Sequence, residues 1–190
     1  MINALLISIT LLTTAAGGDN LSCAVMGSAV PAKPTSALDY AGVRYSFCCG
    51  GCDATFKAEP KKFTKAPEGK VIGHTIFDYV SGARLDEKKI AGSSDYKGVR
   101  YRFASEANLT KFKADPKAYS KTPEKEVMHC VVMGHDIANY AEAGSFADYE
   151  GVRYYMCCGD CVKAFQAKPA DYAAKFASKA TAPVARTFKQ

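Results

Sequence analysis

The chain repeats itself, and this limits its fold more than any other feature. "DYAGVRYSF" starts at Asp39, "DYKGVRYRF" at Asp95 and "DYEGVRYYM" at Asp148, intervals of 56 and 53 residues. Each copy continues in step, with "FKAEPKKF" from Phe56, "FKADPKAY" from Phe112 and "FQAKPADY" from Phe165. A fixed period of this kind marks tandem copies of one supersecondary unit, here about 45 residues long. The expected layout is a leader (1–18), module one (19–65), a connector (66–72), module two (73–121), a connector (122–127), module three (128–173) and a basic tail (174–190). "KAPEGKV" (65–71) and "KTPEKEV" (121–127), with their proline and charges, read as solvated connectors.

Each unit has a physical reading. Two strand-like runs flank Ala41-Gly42, Lys97-Gly98 and Glu150-Gly151. A two-residue hairpin turn needs positive φ, which glycine accepts. On the second strand Val43, Tyr45 and Phe47 share one face by period-two alternation, with Arg44 and Ser46 on the other. A helix-like stretch follows, carrying Phe56, Phe112 or Phe165, and Pro60, Pro116 or Pro169 ends it or opens the next turn. Phe63, Tyr119 and Tyr172 should pack back on the hairpin. The expected class is therefore α+β, three small modules that each join a β-hairpin to a short helix.

The eight cysteines fall only in modules one and three. Module one has Cys23, Cys48, Cys49 and Cys52; module three has Cys130, Cys157, Cys158 and Cys161. The C-x3-C spacing straddles a strand end and a helix start, where unpaired N–H groups and the helix dipole stabilise thiolates. The distant cysteine, on a loop ending at Gly27 or Gly134, would close the site from the other side. Met26 and Met133 complete a Cys-x-x-Met in the same two modules, and thiolate with thioether favours Cu(I). The other reading of these methionines is filler in a small core. His129 could be a fourth ligand or a surface side chain. Module two has Asp78, Ala104 and Asn108 at the three cysteine places and Ser81 at the methionine place, so no soft ion is expected there.

Residues 1–18 carry no charge and hold an apolar run from Ala4 to Leu12 followed by small residues. That suits a secretory leader and is too short for a membrane span. Export would place the cysteines in an oxidising compartment, periplasmic or extracellular, where thiols pair unless a metal holds them. The net charge of +6 does not signal nucleic acid, because Lys175, Lys179, Arg186 and Lys189 put four charges in the tail without an acid.

The pattern C-x-V-M-G, then Y-x-G-V-R-Y-x-F-C-x3-C-x3-F-x-A-x-P-x-x-[FY], resembles the YHS domain, a relative of the TRASH domain, between residues 22 and 172. The resemblance implies treble-clef-like modules that bind heavy-metal ions, often in copper handling or metal resistance. Its cysteines fall on Cys23, Cys48 and Cys52, and on Cys130, Cys157 and Cys161; Cys49 and Cys158 are additional thiols.

The expected function is a non-enzymatic, exported metal-binding protein. It would take up to two Cu(I) or Zn(II) ions and exchange them with a donor or acceptor protein, with Cys49 or Met26, and Cys158 or Met133, as candidate ligands that complete the triads or exchange with them. One alternative is a pair of modules pinned by four disulfides. Another is a thiol oxidoreductase using the C-x-x-C pairs Cys49–Cys52 and Cys158–Cys161, although no βαβ pattern surrounds them. Three scattered histidines offer no nucleophile–base pair, and no phosphate loop is present.

Overall fold

The computed structural model describes residues 20–188. The proposed leader lies outside the described residues. The class is α+β, as the repeats imply, with several small sheets and short helices.

The hairpin-plus-helix unit occurs three times. Strands β1 (Ser36–Tyr40) and β2 (Val43–Phe47) precede helix α1 (Cys52–Ala58). After the short strand β3 (Gly73–Thr75) come β4 (Gly92–Tyr96), β5 (Val99–Phe103), α2 (Glu106–Ala114) and α3 (Pro116–Tyr119). Short strands β6 (Lys125–Val127), β7 (His129–Cys130) and β8 (His135–Asp136) lead to β9 (Ser145–Tyr149) and β10 (Val152–Met156). Helices α4 (Gly159–Ala167) and α5 (Pro169–Phe176) follow, and β11 (Arg186–Thr187) lies near the C-terminus.

The turns are as the sequence implies. Ala41, Lys97 and Glu150 have φ of 51°, 47° and 49°, and the glycines after them 82°, 80° and 78°. Positive φ at both central residues matches the right-handed twist of the flanking strands. A helix phenylalanine seals each hairpin. The Tyr45–Phe56, Tyr101–Phe112 and Tyr154–Phe165 ring centroids are 4.6, 4.6 and 4.8 Å apart, and the three phenylalanines are buried. Phe63, Tyr119 and Tyr172 are partly buried against the same core. Across each hairpin an arginine grips an aspartate at the directly paired register, Arg44 to Asp39, Arg100 to Asp95 and Arg153 to Asp148, with two hydrogen bonds apiece.

The modules do not stand apart as beads. The first two hairpins share one six-stranded sheet, ordered β11-β1-β2-β3-β5-β4, and β9 and β10 form a second sheet with β6. The connectors are exposed over Pro67–Lys70 and at Lys121, Thr122, Glu124 and Lys125, as their charge implies, but their ends are tied into the fold. In the first, Ile72 is buried, its N–H donates to the Gly98 carbonyl, and the Val71 carbonyl accepts from Ser22 N–H. In the second, Lys125–Val127 is β6, parallel to β10, with Glu126 and Val127 fully buried. Pairing hides the backbone polar groups that a free connector would give to water. The basic tail is also docked, since α5 crosses its expected boundary and β11 pairs with the edge strand β1.

All three modules meet at the first hairpin turn. Ala41 N–H donates to the Tyr140 hydroxyl at 3.0 Å, and the Ala41 carbonyl accepts from the Tyr79 hydroxyl at 2.8 Å and Arg153 Nη1 at 3.3 Å. Tyr140 in turn donates to the buried Glu126 carboxylate at 2.8 Å. The Arg153 guanidinium, fully buried, lies 4.0 Å from the Phe146 ring centroid and 4.7 Å from that of Tyr79. A buried charge persists only when paired and hydrogen-bonded. Asp148 and the Lys121 carbonyl complete that pairing.

Candidate metal centres

Each site draws on three places in its module. The first is a five-residue knuckle. In Cys23–Gly27 the Cys23 N–H donates to the Ser28 carbonyl at 2.7 Å, and the Gly27 N–H to the Cys23 carbonyl at 2.8 Å. Asp78–Gly82 repeats both bonds, and Cys130–Gly134 repeats the closing one. The closing glycines have φ of 69°, 73° and 74°, the left-handed region that side chains resist. The second place is the residue after the hairpin's last strand, Cys48 or Cys157. The third is the first turn of the following helix, which supplies Cys52 or Cys161.

The Sγ atoms of Cys23, Cys48 and Cys52 lie within 4.8 Å of one another, as do those of Cys130, Cys157 and Cys161. Three sulfurs around one ion with metal–sulfur bonds near 2.3 Å stand roughly 3.8–4.0 Å apart, so each group needs little adjustment to hold one. Two members of each triad are buried and one is half-buried. All eight cysteines are free thiols in this structure.

The knuckle shifts one sulfur of each triad toward ionisation. Burial pushes the Cys23 thiol up, but the N–H groups of Cys48, Met26 and Val25 point at it and bring it below the usual thiol value. Cys130 is lowered in the same way, against burial, by Cys157, Met133 and Val132 N–H. Its neighbours move oppositely. Burial, then hydrogen bonding to Cys23 and Cys49, pushes Cys48 up to about 11. The contact with Cys49, then burial and Cys23, pushes Cys52 up to about 12. Burial, ahead of the sulfur contacts, raises Cys157 and Cys161. Each triad thus combines one thiol inclined to ionise with two that keep their protons until a cation displaces them.

Asp78 shows what the same nest does without sulfur. Its Oδ1 accepts from Val80 and Ser81 N–H at 3.0 and 3.2 Å, the equivalents of Val25 and Met26. Its Oδ2 accepts from Ala104 N–H at 3.0 Å and Asn108 Nδ2 at 2.8 Å. The carboxylate ties knuckle, strand end and helix together through four hydrogen bonds, at the three places where cysteines converge elsewhere. Sequence reasoning read these positions as lost ligands and missed the staple. The signal available was the joint appearance of aspartate and asparagine at two of the three places.

The remaining site candidates fall outside the triads. Cys49 and Cys158 are exposed, with Sγ 3.1 Å from Cys52 Sγ and 3.2 Å from Cys161 Sγ. Met26 and Met133 are 61% and 65% exposed, so neither fills the core. The knuckle turns them outward because its N–H groups face the sulfur. His129 is neither a surface residue nor part of the triad. It is buried, its Nδ1 is 2.6 Å from the Asp136 carboxylate, and its ring centroid lies 4.9 Å from that of Phe176.

A family model described as the YHS domain matches residues 76–122. No curated protein and no solved structure matches the chain. The match runs from the Asp78 knuckle through the second hairpin to α3, and so falls on the module without cysteines. The matched residues include the hairpin turn, the packed aromatics and the helix of module two. Beside that domain stand two groups of three cysteines, each able to hold a metal ion. Among the described residues no helix is long and apolar enough to cross a membrane.

Proposed function

We propose that the protein is a non-enzymatic carrier or store of a soft metal ion, exported to a periplasmic or extracellular space. In this reading modules one and three are further copies of the YHS unit. Each holds one ion through Cys23, Cys48 and Cys52 or through Cys130, Cys157 and Cys161. The convergence of three sulfurs in each triad carries the reading. Three thiolates with no imidazole or carboxylate among them suit trigonal Cu(I), whereas Zn(II) prefers a fourth donor. The outward thioethers of Met26 and Met133, beside the triads in sequence, would give Cu(I) a first foothold as it arrives from a partner protein.

Titrating reduced protein with Cu(I) against a competing chelator tests this. Two ions should bind per chain, and Cys48→Ser with Cys157→Ser should abolish both sites. Uptake of fewer than one ion per intact triad would refute the proposal.

A further inference from the structure

We propose that Cys49 and Cys158 are oxidation sites, each closing a disulfide with the adjacent triad cysteine, Cys52 or Cys161, and so dismantling the metal site. This rests on the metal-binding reading above and adds redox control of release. Both additional thiols are exposed, while Cys52 and Cys161 are each 4% exposed. An oxidant in solution therefore meets the outer sulfur first. The inner sulfur waits 3.1 or 3.2 Å away, and about 1 Å of approach brings the pair to bonding distance. Two-residue spacing across the start of a helix permits that approach. The arrangement is duplicated in both modules.

Helix capping does not explain a cysteine at this position. In module two the same place holds Ser105, whose hydroxyl accepts the Asn108 N–H and caps α2. A serine does the structural work there. What cysteine adds is redox chemistry, and it appears only in the two modules with triads.

With a hydroperoxide as oxidant the step balances. Cys49 sulfur attacks one peroxide oxygen, the O–O bond breaks, and the departing hydroxide takes the thiol proton to leave as water. Cys49 becomes a sulfenic acid. Cys52 sulfur then attacks it, the S–S bond forms, the S–O bond breaks, and the second hydroxide leaves as water with the Cys52 proton or one from solvent. One hydrogen peroxide is reduced to two waters for each disulfide made. The triad falls from three thiols to two, and the ion loses a ligand from the helix end of its site.

The test uses the full chain, reduced and metal-free, given one hydrogen peroxide per cluster. Free thiols are blocked, disulfides are then reduced and differently labelled, and peptide fragmentation locates the second label. The label should fall on Cys49, Cys52, Cys158 and Cys161, and Cu(I) capacity should drop from two per chain to near zero until a dithiol restores it. Cys49→Ser with Cys158→Ser should still bind two Cu(I) and lose capacity at least tenfold more slowly in peroxide. Second label on Cys23, Cys48, Cys130 or Cys157, or loss of capacity in the variant as fast as in the parent, overturns the proposal. Should the reduced parent bind no Cu(I), the metal reading fails, while the label map still decides the thiol assignment.

Discussion

Replacing Asp78 by alanine is the sharpest probe of how module two holds itself together without sulfur. The carboxylate is fully buried and accepts four hydrogen bonds from three separate elements. A hydrogen bond to a charged group contributes about 1.5–3 kcal/mol net, so simple addition gives roughly 6–12 kcal/mol. That sum overshoots. The donors are only partly buried, Ser81 and Ala104 are exposed residues, and water would recover several of the bonds. Counting about two unrecovered bonds leaves ~3–6 kcal/mol, above most single substitutions. Urea unfolding of reduced, metal-free protein measures it, and Asp78→Ala should lower the midpoint without changing the slope. A double-mutant cycle with Asn108→Ala should show about 1–2 kcal/mol of coupling, because the two side chains share a bond. A cost below about 1 kcal/mol with no coupling would show that the carboxylate is not the staple and that aromatic packing alone carries module two.

Three further outcomes follow from the inter-module junction and the triads. Tyr140→Phe removes a hydroxyl that accepts Ala41 N–H and donates to Glu126, stranding a buried amide and a buried carboxylate, and should cost about 2–4 kcal/mol in urea unfolding. Burial, only partly offset by Tyr140 and Arg186, holds Glu126 above the usual carboxylate value. The folded state therefore keeps this proton to higher pH than the unfolded chain, and stability falls as pH rises from the unfolded value through the folded one. Glu126→Gln should flatten that decline in a pH series of unfolding midpoints, and an unchanged slope would contradict it. Cu(I) uptake must expel protons from Cys48, held near 11, and Cys52, held near 12. Apparent affinity should then climb about a hundredfold or more per pH unit near neutrality, and a flat profile in chelator competition would rule this out.

Much of this protein was legible in one dimension because it rests on local rules. Repetition announced three units. Gly42, Gly98 and Gly151 announced the hairpin turns because their backbone must enter positive φ, and cysteine spacing announced triads because strand end and helix start are neighbours in any such unit. Met26 and Met133 were harder to place, since composition does not say which way a knuckle turns its side chains. What tertiary structure decided was everything that depends on partners distant in sequence. The second charged connector looked solvated, yet its Glu126 is buried because Tyr140 and β10 meet it there. The basic tail showed only its charge, yet Arg186 and Thr187 pair with β1 to cover a sheet edge. Asp78 looked like a missing ligand, and became a staple only once Ala104 and Asn108 closed on it from the far side of the module. Local sequence sets backbone conformation and ligand type, whereas burial and charge compensation are properties of the assembled neighbours.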